Sequence, residues 1–384
     1  MSQVSKTTSV LLTFALVPTL SVLFIVSLVL RCPLETWLSS SDAPSYIAVS
    51  TLIIHGVRSH NPWDERVFLG WPLMISLARA AIPAEAACVL LAVACAAAVP
   101  LLVYWYTRDI NIAIVGAVIS PTWILQTSLG MSEPAYLCVI LAALVLVNAG
   151  NVTGGALLMG LAATIRPTAL FPWLAVLFDL WKTGSPKRTV ARWIALSGLV
   201  AGMTVPLNVY LYGVPFRQLE GYSTLPNVGK GVLASGLACE GAGHFGFPFR
   251  ALVETPLRVH VPLWKVGFIY GHLAVVLLAC GESLRTRNSA SRTRIWRVSA
   301  VWALLNTAFV VCAGPYWGFH SFDRYCLWAL PAYLVLLSRR LPRRLWMWIA
   351  IGICSTGLAL SARWNIVSTA GHSPLRLNEY SAQE

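Results

Sequence analysis

Charged side chains are scarce in this chain, and several of those that interrupt its apolar runs are of types that could do chemistry. Asp42 stands in DAPSY, residues 42–46. A carboxylate partly withdrawn from water can take a proton from a hydroxyl whose oxygen attacks an electrophilic carbon. The same position, after Ser39–Ser41 and ahead of Pro44, equally suits the N-cap of a short helix starting near Ser45. Asp64, Glu65 and Arg66 form a compact trio. They could orient a sugar or hold a divalent cation through carboxylate oxygens, and an ordinary solvated loop has the same composition. Glu133 and Arg166 each lie between two apolar runs, where a charge is costly and tends to be functional. Pro167 stops a helix just after Arg166 and leaves polar backbone exposed. Arg166 suits a phosphate group through paired N–H donors, and an ion pair with Glu133 would satisfy it as well. In HSFDRYCLWALP, residues 320–331, His320, Asp323, Arg324 and Tyr325 meet the start of another apolar run. Arg324 is a second phosphate candidate or a partner of Asp323. Tyr325 and Trp328 also suit anchoring at a membrane interface.

These residues sit among apolar runs that dominate the chain. It has 384 residues, 57% of them hydrophobic and 11% charged, with a mean hydropathy of +0.69. That balance excludes an ordinary soluble domain and predicts an all-α polytopic membrane protein of one domain. Apolar runs fall near 10–30, 86–106, 111–127, 134–150, 152–166, 168–181, 194–212, 262–281, 298–313, 325–338 and 345–361. They predict about 11 transmembrane helices, within a range of about 9–13, since several fall short of the usual spanning length of about 17–25 residues. The first run is longer than a signal-peptide core and lacks a small-x-small cleavage site, so it is expected to remain as a helix. The run 67–83 holds Gly70, Pro72 and Arg79 and is read as a helix along the interface, with Trp71 at headgroup level.

The net charge of +13 is not read as nucleic-acid affinity, because the basic residues fall in short loops. These are Lys182, Lys187, Arg188 and Arg192; Arg285, Arg287, Arg292, Arg294 and Arg297; and Arg339, Arg340, Arg343 and Arg344. Positive charge retained in short loops marks the cytoplasmic face. On that map the N-terminus is cytoplasmic, as are Arg108 and Asn148–Thr153. The first loop, 31–85, and the large loop, 213–261, lie outside and cover a cavity. Only Asp109, Asp179 and Glu282 of the 15 acidic residues remain inside. Such a protein belongs in the inner membrane of a bacterium or the endoplasmic reticulum of a eukaryote. The 9 cysteines have no paired spacing and read as small core residues. Cys32 and Cys239 could meet outside. The sequon at Asn151 maps to the inner side. There is no P-loop, dinucleotide fingerprint, H-E-x-x-H or G-x-S-x-G.

Taken in order, DAPSY after the first apolar run, RVFLGWPLMI (66–75), SEPAYL (132–137), GLAATIRPTAL (160–170), YGVPF (212–216) and FDRYCLWALP (322–331) resemble elements of the GT-C superfamily of membrane glycosyltransferases. The resemblance spans most of the chain, from about residue 40 to 335, and rests on order rather than on any one motif. It implies a polyprenyl-phosphate sugar donor and a lipid, glycan or protein acceptor, with a mannosyltransferase-like or lipopolysaccharide-modifying branch the nearer likeness. It maps a catalytic aspartate onto Asp42, charged loop residues onto Asp64, Glu65 and Arg66, an Arg-Pro element onto Arg166 and Pro167, and an Arg-Tyr element onto Arg324 and Tyr325. Asp42 lacks the adjacent acid that some members carry, which puts a metal-dependent scheme in doubt. A transporter or flippase for a lipid-linked or anionic solute is the rival reading, with the same arginines holding substrate in transit. Against it, the Arg166–Pro167 break has no evident counterpart in the second half. The topology is open to direct measurement: cysteines introduced at Ser185 and Ser289 are expected to label from the cytoplasm and one at Ser223 from outside. Labelling of position 223 from the cytoplasm alone would sink this map.

Overall fold

The computed structural model describes residues 33–38, 41–57, 64, 67–118, 120–218, 263–285, 293–312, 321–338 and 340–341, with 248–249, 252–253 and 256–257. The first and last apolar runs, most of the large loop, and Cys32, Glu65, Arg66, Cys239 and His320 lie outside the described residues. The secondary structure among the described residues is helical. In chain order the helices are α1 Leu34–Leu38, α2 Ala43–His55, α3 Gly70–Ala78, α4 Ala84–Thr107, α5 Ile110–Val118, α6 Pro121–Ser128, α7 Glu133–Asn148, α8 Val152–Ile165, α9 Leu170–Lys182, α10 Lys187–Gly202, α11 Thr204–Tyr212, α12 Leu263–Arg285, α13 Arg294–Val311, α14 Phe322–Leu327 and α15 Leu330–Leu337.

Three of them are long and apolar enough to cross a membrane: α4, the 26-residue stretch Lys187–Tyr212 formed by α10 and α11, and the Lys265–Ser283 part of α12. The helices α6 and α7 make a fourth if counted as one span bent by 107°. Among the described residues the other apolar runs do not each give such a helix: α8 and α9 have only 14 and 13 residues, and two further runs are divided. The run 111–127 divides before Pro121 into α5 and α6, and the run 325–338 divides at Trp328–Ala329 into α14 and α15. The run at 194–212 starts earlier, so Lys187, Arg188 and Arg192 lie on α10 rather than in a loop. Arg294 and Arg297 likewise open α13.

Two close approaches set the packing. Helix α10 lies against α8, and a Cβ on Gly160 would fall 2.5 Å from the Ser197 carbonyl, so only glycine allows the approach. At Gly70 a Cβ would stand 2.7 Å from the Thr164 carbonyl carbon and 2.8 Å from the Ile165 nitrogen. That contact seats the head of α3 on the last turn of α8, beside Arg166. Asn151, the sequon residue, caps α8 by accepting from the Gly154 N–H at 2.9 Å.

The bend between α6 and α7 frees backbone carbonyls that water cannot reach, and indoles satisfy them. Trp37 Nε1 donates to Ser128 O at 3.1 Å, and Trp71 Nε1 to Gly130 O at 3.1 Å. Gly130 holds the turn at φ 64°. Trp71, expected at headgroup level, is packed inside the protein. Its ring is fully buried, because its partner is a carbonyl released by a break later in the chain. Gly70→Ala should cost about 1–3 kcal/mol of stability by overpacking, read as a lowered thermal midpoint of the protein in detergent; an unchanged midpoint would contradict the close approach.

Candidate functional site

Four segments distant in sequence converge where α2, α7 and α14 begin and α8 ends. Glu133 is the first residue of α7 and is fully buried. Its Oε1 accepts from Arg166 Nη2 at 2.7 Å and from Arg324 Nε. Arg166 sits in the break between α8 and the 3-10 turn Pro167–Ala169, with extended backbone (φ −150°, ψ 133°). This is where Pro167 was expected to stop the helix. Its Nε donates to Ser132 Oγ at 3.0 Å. Arg324 Nη2 reaches Asp42 Oδ2 at 3.0 Å.

Asp42 occupies the N-cap position of α2, which begins at Ala43, but its side chain makes no capping bond. Ser41 Oγ accepts the Ala43 N–H at 3.1 Å instead. The carboxylate turns toward Arg324 and stays 55% exposed. An exposed carboxylate beside a guanidinium can meet an incoming hydroxyl, whereas a capping carboxylate would be occupied. Four residues on, the Tyr46 hydroxyl lies 3.3 Å from Ser132 Oγ, as i, i+4 spacing on one helix face allows. Burial, and then the Asp42 carboxylate, push the Tyr46 phenol above its ordinary range, so it serves as a neutral hydroxyl. Burial opposes the charge on Arg324, but the carboxylates of Glu133 and Asp42 more than offset it and hold the guanidinium protonated.

Beneath these charges lies an aromatic layer. The Arg166 guanidinium stands 5.1 Å above the centre of the Trp328 ring. Tyr325 packs on Trp328 with centroids 4.6 Å apart, and Phe309 lies 6.0 Å from the same ring. Trp328 is thus buried under a cation. Around the network, Glu133 Oε2 and Trp328 Nε1 are buried without a hydrogen-bond partner among the described residues. Buried polar atoms of this kind are normally satisfied by ordered water or ligand.

The structure thus brings together Asp42, Glu133, Arg166, Arg324 and Tyr325. Asp323 is not the partner of Arg324 but accepts from the Thr122 hydroxyl. Asp64 is buried, and its carbonyl accepts from the Tyr212 hydroxyl at 3.4 Å. Glu65, Arg66 and His320 fall outside the described residues. Among the described residues no group of three or more His, Cys, Asp or Glu is placed to hold a metal ion. From the sequence, Tyr46 and Ser132 stand only as parts of DAPSY and SEPAYL, with no role of their own, and the platform role of Trp328 was missed. Their signals were present: Tyr46 lies one turn from Asp42, and Ser132 directly precedes Glu133. Compared with known proteins, the chain matches no model of a protein family and no curated protein.

The two acids are expected to differ sharply in what they contribute to stability. Glu133→Gln removes a buried anion from two guanidiniums and should cost about 3–5 kcal/mol. Asp42→Asn, at the exposed end, should cost at most about 1 kcal/mol. Denaturant unfolding of both variants in detergent measures the difference, and equal losses would refute the burial contrast.

Proposed function

We propose that this chain is an integral-membrane glycosyltransferase of inverting type, with a GT-C-like arrangement of about 11 spans and its site on the outer face. It moves a sugar from a polyprenyl-phosphate carrier to a lipid, glycan or protein acceptor. The observation that carries the reading is the convergence of Asp42, Glu133, Arg166 and Arg324 from four distant segments, with the Asp42 carboxylate exposed and not spent on a helix cap.

In this reading the donor phosphate takes the place of Asp42 on Arg324, which releases the carboxylate next to the reacting centre. Asp42 then accepts the proton of the acceptor hydroxyl as its oxygen bonds to the anomeric carbon. The bond from that carbon to the lipid-phosphate oxygen breaks on the opposite side, so the configuration inverts. Arg324, and Arg166 above Trp328, stabilise the charge growing on the departing phosphate. Glu133 keeps both guanidiniums in place before substrate arrives. Tyr325 and the neighbouring rings offer apolar surface for the sugar or the first isoprene units. No step requires a metal; a divalent cation, if used, would draw on Asp64 and its neighbours.

A second reading, transport of a lipid-linked or anionic solute, gains from one observation. The break at Arg166 does have counterparts, at residues 129–132 and, in the second half, at Trp328–Ala329, and all three adjoin the charged network. Broken helices around a charged site are a feature of transporters.

The assay is purified protein with a defined polyprenyl-phosphate sugar and a panel of acceptors, scored for product, for donor binding and for movement of donor across vesicles. Asp42→Asn should abolish product while donor still binds, since base catalysis alone supplies roughly 10²–10⁴-fold. Arg166→Lys and Arg324→Lys should retain part of the binding and lose turnover, because a point charge cannot reproduce paired guanidinium contacts. Near-normal turnover of Asp42→Asn would reject Asp42 as the base. Lipid movement without product for any acceptor would select the transporter.

A further inference from the structure

A second charged centre lies at the opposite end of the helices. Asp179, near the end of α9, is 1% exposed and accepts from two arginines of α13: Arg294 Nε at 2.7 Å, and Arg297 Nη2 and Nε at 2.6 and 2.8 Å. Arg294 Nη1 also donates to Val147 O at 3.0 Å. These arginines form one wall of a cavity of about 490 Å³, whose lining includes Trp105, Arg108, Asn148 and Thr293. That volume falls within the roughly 300–1,000 Å³ of sites that hold small ligands.

The cavity is preformed and carries a surplus of positive charge. One carboxylate, Asp179, neutralises one of the three arginines that line it. Arg108 is exposed and makes no ion pair among the described residues. The 18-residue helix α13 opens at the cavity with Thr293 as its cap, whose hydroxyl takes the Trp296 N–H at 3.4 Å; the N–H groups of Arg294 and Ile295 ahead of it, and the positive end of the dipole, face this end. The C-terminal ends of α4 and α7 also meet here, where Tyr104 O accepts from the Arg108 N–H at 2.7 Å and Val147 O from Arg294 Nη1 at 3.0 Å. The Tyr106 hydroxyl donates to Ile295 O at 3.2 Å, which fixes α4 to α13 across the cavity floor. Trp105 is 45% exposed beside it, as an aromatic ring at a headgroup boundary would be.

The geometry points to a binding site for a phosphate group in this cavity, held by Arg108, Arg294, Arg297 and the start of α13, with the headgroup of an anionic phospholipid as its natural source. The site is independent of the Asp42 centre: α7 alone, with 16 residues, separates the two by about 1.5 Å per residue of helix.

The test uses the full chain, purified in zwitterionic detergent, with phosphatidylglycerol, phosphatidylcholine and inorganic phosphate as separate probes, read by native mass spectrometry and by thermal midpoint. Phosphatidylglycerol should bind and raise the midpoint more than phosphatidylcholine does. Arg108→Gln should lower its affinity about fivefold, and Asn148→Leu, which fills the cavity without changing a charge, should lower it too. Lys187→Gln, on the same end but outside the lining, should leave it unchanged. A response to inorganic phosphate that is lost in Arg108→Gln would keep the site and assign it to a soluble phosphate; a response to phosphatidylglycerol alone assigns it to lipid. Equal binding of the two lipids without a phosphate response, or equal losses in Arg108→Gln and Lys187→Gln, overturns the proposal.

Discussion

A carboxylate with no exposure to water sits at the head of a helix in an apolar bundle, and much of the candidate site is arranged around making that tolerable. Transfer of an ionised carboxylate out of water costs several kcal/mol even after relaxation, so Glu133 requires cations at contact distance. Arg166 and Arg324 supply them on one oxygen. Arg166 does so from the break where α8 ends at Ile165, and Arg324 from the first turn of α14, a short segment ahead of the break at Trp328–Ala329. The buried charge and the broken helices therefore meet at one place in the fold.

Broken helices leave backbone groups to satisfy, and this chain meets that need with tryptophans. Trp37 and Trp71 come from the first loop region and close the carbonyls of the 128–130 turn, while Gly70 lets α3 approach the end of α8. Segments that look like a cover over the helices are thus part of the frame that aims Ser132, Glu133 and Arg166. Arg79 adds a tie of the same kind, donating to Ser50 Oγ at 3.0 Å and to Thr51 Oγ1 at 2.5 Å, and so locks α3 to α2, the helix that carries Asp42.

The helical class was legible in the sequence because apolar runs of this length have few other ways to satisfy their backbone. The stop at Arg166 was legible because Pro167 forbids its continuation. The divisions before Pro121 and at Trp328–Ala329 were harder to read, since the apolar run continues through them. Pairing was not legible. Arg324 and Asp42 are separated by 282 residues, and nothing local distinguishes that partner from Asp323, which bonds Thr122 instead. The burial of Trp71 was hidden for a related reason. An exposed interfacial tryptophan and one that closes a distant carbonyl have the same local sequence, and only the bend 59 residues later decides between them.

The separation of Glu133 from its second cation has a bearing on how the molecule is made. Arg166 follows Glu133 by 33 residues and can meet it almost as soon as α8 has formed. Arg324 comes 191 residues after Glu133. A chain emerging from its N-terminus must therefore hold the first half of the site in a partly compensated state, with Glu133 paired to Arg166 alone, until α14 arrives. Completion of the charged network marks the arrival of the C-terminal third, and an interrupted chain is left with a buried acid that it cannot fully neutralise. Such a fragment carries its own defect, in the place where quality control of an unfinished helical protein would have most reason to look.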